Sequence, residues 1–400
     1  RGLGDVYKRQ HVLLPLYYKP NLTSIYGYLG TRIGVHTYRT GSFFFLLSRM
    51  LGTAAKLYLV CLILHTHVFQ EMHIPFWVIA VGSVTLVWIY THKSGIKTIV
   101  WTDTLQTFCL IAALLFIIYF TIQKLDTGFD GIVQTIRNSE HSRIFVFDDW
   151  ISRQNFFKQF FSGIFIVIVI TGLDQDMMQK NLSCRNLREA KKNMYCYGFS
   201  FIPLNFLFLC LGILLLALAG QMQLELPAMN DDILAMFATQ GYLGHSVLIL
   251  FTIGIIAAAF SNSDSALTAM TTSVCIDLLN TEKDTEEVAR RKRKRVHLLL
   301  SVLLAFFICL VEMLNNKSVI DAIYIIASYT YGPLLGMFAF GLFTRRQTND
   351  RLVPLIAIAS PVLCYALDWW ISKETGYKFG YELLMLNGSL TFAGIMLLSG

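Results

Sequence analysis

One apolar stretch of the chain, residues 255–279, carries oxygen-bearing side chains in a helical arrangement. The small and polar residues on one stripe and its flanks are Ala258, Ser261, Ser265, Asn262 and Asp264. Small residues let a second backbone approach closely, so helix packing is one interpretation of the stripe. Packing does not explain a carboxylate among them, whereas hydroxyl and carboxylate oxygens are the ligands of hard cations such as Na⁺. The pattern therefore predicts a candidate cation site.

A second carboxylate, Asp103 in the sequence VWTDTLQ, lies within about one turn of the start of another apolar stretch. It would share a cation with Ser261 and Ser265 if the two helices pack together, because both groups would lie at a similar depth. The other interpretation is a carboxylate at the membrane interface, paired with Lys97. Spacing along the chain does not choose between the two.

The composition indicates what kind of structure must position these groups. The chain has 400 residues, of which 55% are hydrophobic and 15% charged, and its mean hydropathy is +0.54. Soluble globular proteins carry about 25% charged residues. A disordered chain, a disulfide scaffold, a nucleic-acid binder and nearly every soluble enzyme are excluded, which leaves an all-α polytopic membrane protein. The eight cysteines show no metal or disulfide spacing.

Ten apolar runs are long enough to cross a membrane. The predicted crossings are residues 42–65, 74–91, 99–122, 156–177, 195–218, 244–279, 296–313, 319–343, 353–371 and 383–398. Segments that this order places on the inside hold 20 Lys and Arg residues and the outside segments hold 8, so the residues before 42 are predicted to be cytoplasmic. The basic run 290–295 then lies inside, where it would contact anionic lipid.

Other charged residues fall inside or near the predicted spans, where a carboxylate costs about 2.5–3.5 kcal/mol. They are Asp174, Asp176, Asp277, Glu312, Asp368, Arg49 and Lys56. The acidic ones lie near the ends of the spans, so we expect them to reach the membrane interface or to form local ion pairs. Arg49 and Lys56 are seven residues apart and share a helical face. They either pair with a neighbouring helix or bind an anionic solute.

Sequence signatures of enzyme catalysis are missing. The nine histidines fall in loops or near the ends of the predicted spans, so no general base is placed in the middle of the membrane. No GxSxG, HExxH or P-loop sequence occurs in a suitable context. We therefore predict no enzyme activity, no catalytic residue, no organic cofactor and no use of ATP.

The first residues do not resemble a natural start of a protein. There is no initiator Met and no secretory signal pattern, and residues 5–10 match the translation of a sequencing-library adapter. Residues 1–10 are therefore expected to be a non-native leader, and residues 11–400 a single transmembrane domain.

Four sequence motifs resemble those of the sodium:solute symporters and occur in that family's order. They are LPLYYKPNLTSIYGYLGTRIG, KSGIKTIVWTDTLQ, GLDQDMMQKNLSCRNLREAKKN and AAAFSNSDSALTAMTTS. The similarity extends from about residue 14 to residue 400. It implies a leucine-transporter-type bundle, in which two inverted repeats of five helices place the binding sites near the middle of the membrane. It also implies that the first two core helices are missing from this sequence.

The resemblance further implies roles for individual residues. The family's principal Na⁺ site corresponds here to Ala258, Ser261 and Asn262. A further Na⁺ site, found in some members of the family, corresponds to Asp103, Ser261, Asp264 and Ser265. Ala258 would contribute its carbonyl, and Asn262 replaces the usual Ser or Thr with an amide oxygen that can still bind Na⁺. The candidates for contact with the solute are Thr171, Gln175, Tyr329 and Tyr331.

The resulting prediction is Na⁺-coupled symport of a small organic solute by alternating access, in a bacterial inner membrane. Sugars, sialic acid, monocarboxylates, amino acids and vitamins all remain open as the solute. Two other functions also remain open: the sensor domain of a transporter-linked histidine kinase, and a proton-coupled transporter that uses the same carboxylates. The expected partners are membrane lipid and the solute, with no nucleic acid and no obligatory protein partner.

Overall fold

The computed structural model describes residues 24–91, 96–143, 145–150, 152, 154–227, 232–314, 319–377 and 379–399. The expected leader 1–10 and the first part of the motif that starts at residue 14 lie outside these ranges. Only the backbone is described for residues 96–102, so the side chain of Lys97 is outside the description as well.

Helices make up most of the described chain and follow the predicted apolar runs. They are α1 (Gly27–Arg32), α2 (Val35–Ile63), α3 (Phe76–Thr91), α4 (Ile96–Leu125), α5 (Phe129–Asn138), α6 (Phe156–Val167), α7 (Gln175–Leu182), α8 (Leu187–Gln221), α9 (Asp232–Thr239), α10 (His245–Ser273), α11 (Glu286–Leu314), α12 (Val319–Phe343), α13 (Val353–Thr375) and α14 (Leu383–Leu397). Wider π-helical turns extend α2, α6 and α10 at Leu64–Val68, Ile168–Gly172 and Val274–Leu278.

Seven described helices are long and apolar enough to span a membrane, and the bent pair of α6 and α7 forms an eighth span. Two shorter apolar helices, α3 and α14, match the remaining predicted crossings. Each predicted crossing thus corresponds to a helix or helix pair in the described ranges. The largest differences are at the cytoplasmic starts of α8 and α11, which begin within basic sequence. Lys, Arg and Glu favour helix but lower the hydropathy, so the apolar runs begin later than the helices.

The fourth predicted crossing is broken, which corrects the expected single helix 156–177. α6 ends in the turn Ile168–Gly172, and α7 leaves at an angle of 65°. Asp174 lies between them with an extended backbone, and its side chain accepts a hydrogen bond from the backbone N–H of Asp176 at 2.9 Å. An aspartate in this position satisfies one of the free N–H groups at a helix start, so a new helix begins after it.

The helices that carry the polar residues pack together in the middle of the fold. α10 packs against α4, α2, α11 and α7, and α2 also packs against α12 and α11. A buried apolar cluster runs through this region and includes Tyr26, Phe45, Met270 and Leu334. Because buried side chains are close-packed, the cluster holds the backbones of α2, α7 and α10 in fixed relative positions.

α12 and α14 approach each other so closely that glycine is required at two positions of α12. A Cβ at Gly336 would lie 2.5 Å from the Cβ of Thr391 and 2.6 Å from the carbonyl oxygen of Gly388. A Cβ at Gly332 would lie 2.3 Å from the side-chain nitrogen of Asn387. Small residues of this kind let the backbones of membrane helices come into contact.

Gly336→Ala is therefore expected to lower the thermal stability of the purified protein. Its Cβ would meet backbone atoms of α14 that cannot rotate away, and overpacking of this kind costs about 1–3 kcal/mol. Gly212→Ala is the matched control, because a Cβ at Gly212 in α8 meets nothing within 4 Å. That control should melt at or slightly above the wild-type temperature, since alanine favours helix. Equal melting temperatures for the two variants in detergent would contradict the close approach of α12 and α14.

The start of α2 is capped by a residue from a distant loop. The carboxylate of Asp350 accepts hydrogen bonds from the backbone N–H groups of His36 and Thr37, both at 2.8 Å, and from the Thr37 hydroxyl at 2.6 Å. Partial burial acts to raise the pKa of Asp350, but these hydrogen bonds outweigh it and the pKa lies below its ordinary value. The cap therefore ties the loop between α12 and α13 to α2.

Asp277 is buried in the wide turn that ends α10, although the sequence placed it near a membrane interface. Its oxygens accept hydrogen bonds from the hydroxyls of Tyr38 at 2.7 Å, Ser42 at 3.0 Å and Ser273 at 2.6 Å. These hydroxyls replace the water that the carboxylate loses on burial. Asp277 thus joins the end of α10 to α2.

Candidate functional site

Asp103 and Ser261 are in direct contact although 158 residues separate them in sequence. α4 and α10 pack side by side, and the Ser261 hydroxyl donates a hydrogen bond to Oδ1 of Asp103. Ser261 is buried, whereas the Asp103 side chain is 27% exposed. The helix contact that the sequence could not establish is therefore present, and a partly accessible carboxylate lies at it.

Asp264 and Ser265 follow Ser261 along α10, are buried, and carry oxygens without hydrogen-bond partners among the described residues. Asp264 is 0% exposed and Ser265 is 3% exposed. The hydroxyl of Tyr90 in α3 donates to Oδ2 of Asp264 at 2.6 Å. Oδ1 of Asp264 and the hydroxyl oxygen of Ser265 are buried and have no hydrogen-bond partner among the described residues. Burial of such oxygens is costly unless another group satisfies them.

These oxygens fit the binding of a small hard cation. Asp103 acts electrostatically on Asp264, so two carboxylates lie within range of each other. A cation between them would relieve their repulsion and would satisfy the free oxygens of Asp264 and Ser265. Carboxylate and hydroxyl oxygens are the ligand types that hard cations prefer. The donor set therefore suits Na⁺ as a transported ion.

Ala258 and Asn262, the other two predicted ligands, lie on a more exposed side of α10. The Asn262 side chain is exposed, and its amide nitrogen donates to the carbonyl oxygen of Ala258 at 3.1 Å. Ala258 is half-buried. The two predicted ligand groups thus contact each other, and both precede Asp264 along α10. Their role as Na⁺ ligands stays a prediction.

Arg49 forms ion pairs with the break between α6 and α7. Its guanidinium lies 3.3 Å from Oδ2 of Asp174 and also contacts Oδ2 of Asp176. The hydroxyl of Tyr331 in α12 donates to the same Asp174 oxygen at 2.9 Å. Asp174 is 0% exposed and Asp176 is 4% exposed. Of the two expected outcomes for these carboxylates, the ion pair is the one present, and its cation comes from another helix inside the protein.

Lys180 is the ion-pair partner of Asp103. Its ammonium lies 2.8 Å from Oδ2 of Asp103 and 3.8 Å from Oδ1 of Asp176. The sequence proposed Lys97 as the partner and missed Lys180, which is 77 residues away from Asp103. One signal was present in the sequence: Asp176 and Lys180 are four residues apart, so they share a face of α7.

The predicted solute contacts are spread over three places. Thr171 is buried in the wide turn after α6. Gln175 is buried, and its side-chain oxygen accepts a hydrogen bond from the backbone N–H of Ile25 at 3.0 Å. Tyr331 donates to Asp174, whereas the Tyr329 hydroxyl points away toward Asp368 of α13, at 3.5 Å. Gln175 and Tyr331 therefore brace the break in the helix. A role in solute binding stays a prediction for all four residues.

Lys56 differs from Arg49 in having no partner. It makes no hydrogen bond or ion pair within the described part of the chain. Its side chain is accessible, yet protein surrounds it on most sides, and Arg49, Asp174 and Asp176 are its charged neighbours. Lys56 therefore lies within electrostatic range of the charged residues at the break between α6 and α7.

Comparisons with known proteins agree with this architecture. Among curated proteins, the sodium/sialic acid symporter NanT of Aliivibrio fischeri is 26% identical to this chain, over 94% of this chain and 75% of NanT. It is 27% identical to the sodium-dependent multivitamin transporter of Oryctolagus cuniculus and 23% identical to the human sodium/iodide cotransporter. Each of these alignments covers 83% of this chain, which spans about half the length of those two mammalian relatives.

A solved structure has the same fold. It is a Na⁺-coupled sialic acid symporter in a substrate-bound, outward-open state, and it matches with a TM-score of 0.80 at 20% identity. The match covers 98% of this chain and 82% of the other, which confirms the predicted leucine-transporter-type bundle. The model of the sodium:solute symporter family matches residues 12–351. The chain therefore has this fold, with a broken helix beside a cluster of carboxylate and hydroxyl oxygens, and the family model matches most of its length. It belongs to the sodium:solute symporter family.

Proposed function

We propose that the intact protein uses the inward movement of Na⁺ to take up a small organic acid across the inner membrane of a bacterial cell. The choice of Na⁺ as the coupling ion is supported by two buried oxygens without hydrogen-bond partners among the described residues, on Asp264 and Ser265. They lie next to Asp103 and Ser261. The inner membrane follows from the bacterial relative NanT and from the basic residues on the predicted cytoplasmic side.

The acidic nature of the solute rests on Lys56. α2 runs outward, so Lys56 lies about 10 Å further out than Arg49 along the same helix, at 1.5 Å per residue. A charged side chain in the middle of a span costs about 2.5–3.5 kcal/mol, and an anion from outside would offset that cost. The names of several relatives fit an anionic solute, because they transport sialic acid, monocarboxylates and iodide.

The coupling follows from differential affinity for two conformations. Na⁺ at Asp103 and Asp264 would stabilise the outward-open conformation, in which Lys56 and the break in the helix are accessible from outside. The solute then binds more tightly, and by linkage it raises the affinity for Na⁺ by the same factor. No covalent step is needed, since the Na⁺ gradient supplies the free energy.

Lys56→Gln is expected to raise the KM for an acidic solute by about tenfold or more, because the loss of a partly buried charge contact costs at least about 1.4 kcal/mol. Lys56→Arg should keep most of the affinity. Lys124→Gln, at the exposed outer end of α4, removes the same charge and should leave KM unchanged. Initial uptake rates in proteoliposomes give these values, and an unchanged KM for Lys56→Gln would remove Lys56 from the solute site.

Uptake by the full-length protein in proteoliposomes tests the proposed function. The panel contains sialic acid, a short monocarboxylate and glucose, each with an inward gradient of Na⁺, of K⁺ or of protons. We expect uptake of an acid with the Na⁺ gradient alone. Uptake driven equally by protons would replace Na⁺ by a proton as the coupling ion, and uptake of glucose alone would overturn the acidic solute.

A further inference from the structure

A chain of charged side chains along α7 connects Arg49, which shares a helical face with Lys56, to the proposed Na⁺ site. Arg49 on α2 contacts Oδ2 of Asp176, and Lys180 lies 3.8 Å from Oδ1 of the same carboxylate. Lys180 also lies 2.8 Å from Oδ2 of Asp103, whose other oxygen accepts the Ser261 hydroxyl. The order of the groups is therefore cation, anion, cation, anion, and it ends at the Na⁺ site.

Lys180 lies between two carboxylates that belong to different sites. Asp176 belongs to the break in the helix, and Asp103 belongs to the proposed Na⁺ site. An ammonium and Na⁺ are both monovalent cations, so they compete for the charge of Asp103. Any change that draws Lys180 toward Asp176 makes Asp103 more available to Na⁺.

The Lys180–Asp103 ion pair and the Arg49–Asp174 ion pair also differ in their exposure to solvent. The side chains of Lys180 and Asp103 are 29% and 27% exposed, whereas Arg49 and Asp174 are 12% and 0% exposed. Partly exposed ion pairs contribute little to stability and exchange partners readily. The Lys180 pair is therefore suited to a contact that forms and breaks during transport, and the Arg49–Asp174 pair is suited to holding the structure.

We propose that Lys180 couples the two sites by acting as a tethered cation that competes with Na⁺ for Asp103. An anionic solute at Lys56 also attracts the neighbouring Arg49 guanidinium, which keeps its pair with Asp174 but holds Asp176 less tightly. Asp176 then attracts Lys180, Lys180 leaves Asp103, and the affinity for Na⁺ rises. This inference rests on the proposed function, because it assumes Na⁺ at Asp103. Lys180 is a positioning residue, since it acts through Asp103 and contacts neither Na⁺ nor solute.

The test is equilibrium binding of Na⁺ alone to the detergent-purified full-length protein, titrated as NaCl against KCl and followed by tryptophan fluorescence. Lys180→Gln removes the competitor and should tighten Na⁺ binding by about tenfold, as expected for the loss of a partly screened charge about 3–4 Å away. Lys180→Arg should bind Na⁺ as the wild type does. Lys192→Gln, which removes a lysine charge from the exposed start of α8, is the matched control and should change nothing.

A double-mutant cycle with Asp176→Asn tests the direction of the coupling. Asp176→Asn frees Lys180 to stay on Asp103, so it should weaken Na⁺ binding by several-fold. In the Lys180→Gln background the same change should have an effect of less than about twofold, because the competitor is absent. Equal effects of Asp176→Asn in both backgrounds would overturn the relay through Lys180.

The outcomes separate this inference from the function on which it rests. If the wild type shows no saturable response to Na⁺ over K⁺, both the Na⁺ site and the role of Lys180 are overturned. If the wild type binds Na⁺ and Lys180→Gln binds it equally or more weakly, only the role of Lys180 is overturned. A structural anchor would give that second result together with a lower melting temperature.

Discussion

Asp103→Asn is expected to raise the Na⁺ concentration for half-maximal uptake by about 100-fold, a loss of about 2.7 kcal/mol. The substitution keeps the shape of the side chain and an oxygen for the Ser261 hydroxyl, but it removes the charge that attracts Na⁺. It also leaves Lys180 near the site without its partner at 2.8 Å, which adds repulsion to the lost attraction. The maximal rate at saturating Na⁺ should fall much less, because Asp103 is assigned to the Na⁺ site and Lys56 to the solute site.

Initial uptake rates measured across a series of Na⁺ concentrations give both quantities for Asp103→Asn. Asp130→Asn is the control, because it removes an equal charge from an exposed carboxylate on α5 that is not part of the proposed site. An unchanged Na⁺ response of Asp103→Asn, with normal folding, would exclude Asp103 from the Na⁺ site.

Arg49→Met is expected to destabilise the folded protein by about 3–5 kcal/mol, the typical cost of removing one partner from a buried ion pair. Asp174 and Asp176 are 0% and 4% exposed, so both would keep a buried charge without the Arg49 guanidinium. Tyr331 and Lys180 would satisfy them only in part, through the contacts at 2.9 Å and 3.8 Å. The yield of folded protein in detergent and its melting temperature should both fall.

Two controls show whether burial is the cause. Arg143→Met breaks an ion pair with Asp148 in which both side chains are more than half exposed, and it should cost less than about 1 kcal/mol. The triple variant Arg49→Met, Asp174→Asn, Asp176→Asn removes the buried charges together and should recover much of the lost stability. Equal melting temperatures for Arg49→Met and Arg143→Met would contradict a buried network at the break in the helix.

The spans were predictable from the sequence because hydropathy reports a local property. Twenty apolar residues need a helix in a membrane whatever their neighbours are, so α4, α12 and α13 lie where the apolar runs place them. The break after α6 was not predictable in this way, because the mainly apolar run 160–173 continues through the turn Ile168–Gly172. It depends on Asp174 capping α7 and on Arg49 pairing with that carboxylate, and the second contact spans 125 residues of sequence.

The candidate site was predictable only in its components. Residue types suggested Ser261, Asp264 and Asp103 as candidate cation ligands, and the folded chain brings Ser261 and Asp103 into contact. Their role as ligands stays a prediction. The ion pair of Asp103 with Lys180 was missed, because 77 residues separate the two and proximity in sequence suggested Lys97, whose side chain lies outside the described residues. Likewise, Lys56 and Arg49 share one helical face, but only tertiary packing gives Arg49 two carboxylates and leaves Lys56 without an ion pair among the described residues.

Accumulation of an acidic solute against its own concentration gradient tests the central claim most directly. Proteoliposomes that contain the full-length protein start with equal solute on both sides, and an inward Na⁺ gradient is then imposed. We predict that the internal solute concentration rises above the external one and that a sodium ionophore abolishes the rise. At a Na⁺ concentration that half-saturates the wild type, the Asp103→Asn variant should slow the rise strongly. Simple equilibration of the solute, or equal accumulation with an inward K⁺ gradient, would contradict Na⁺-coupled symport through this site.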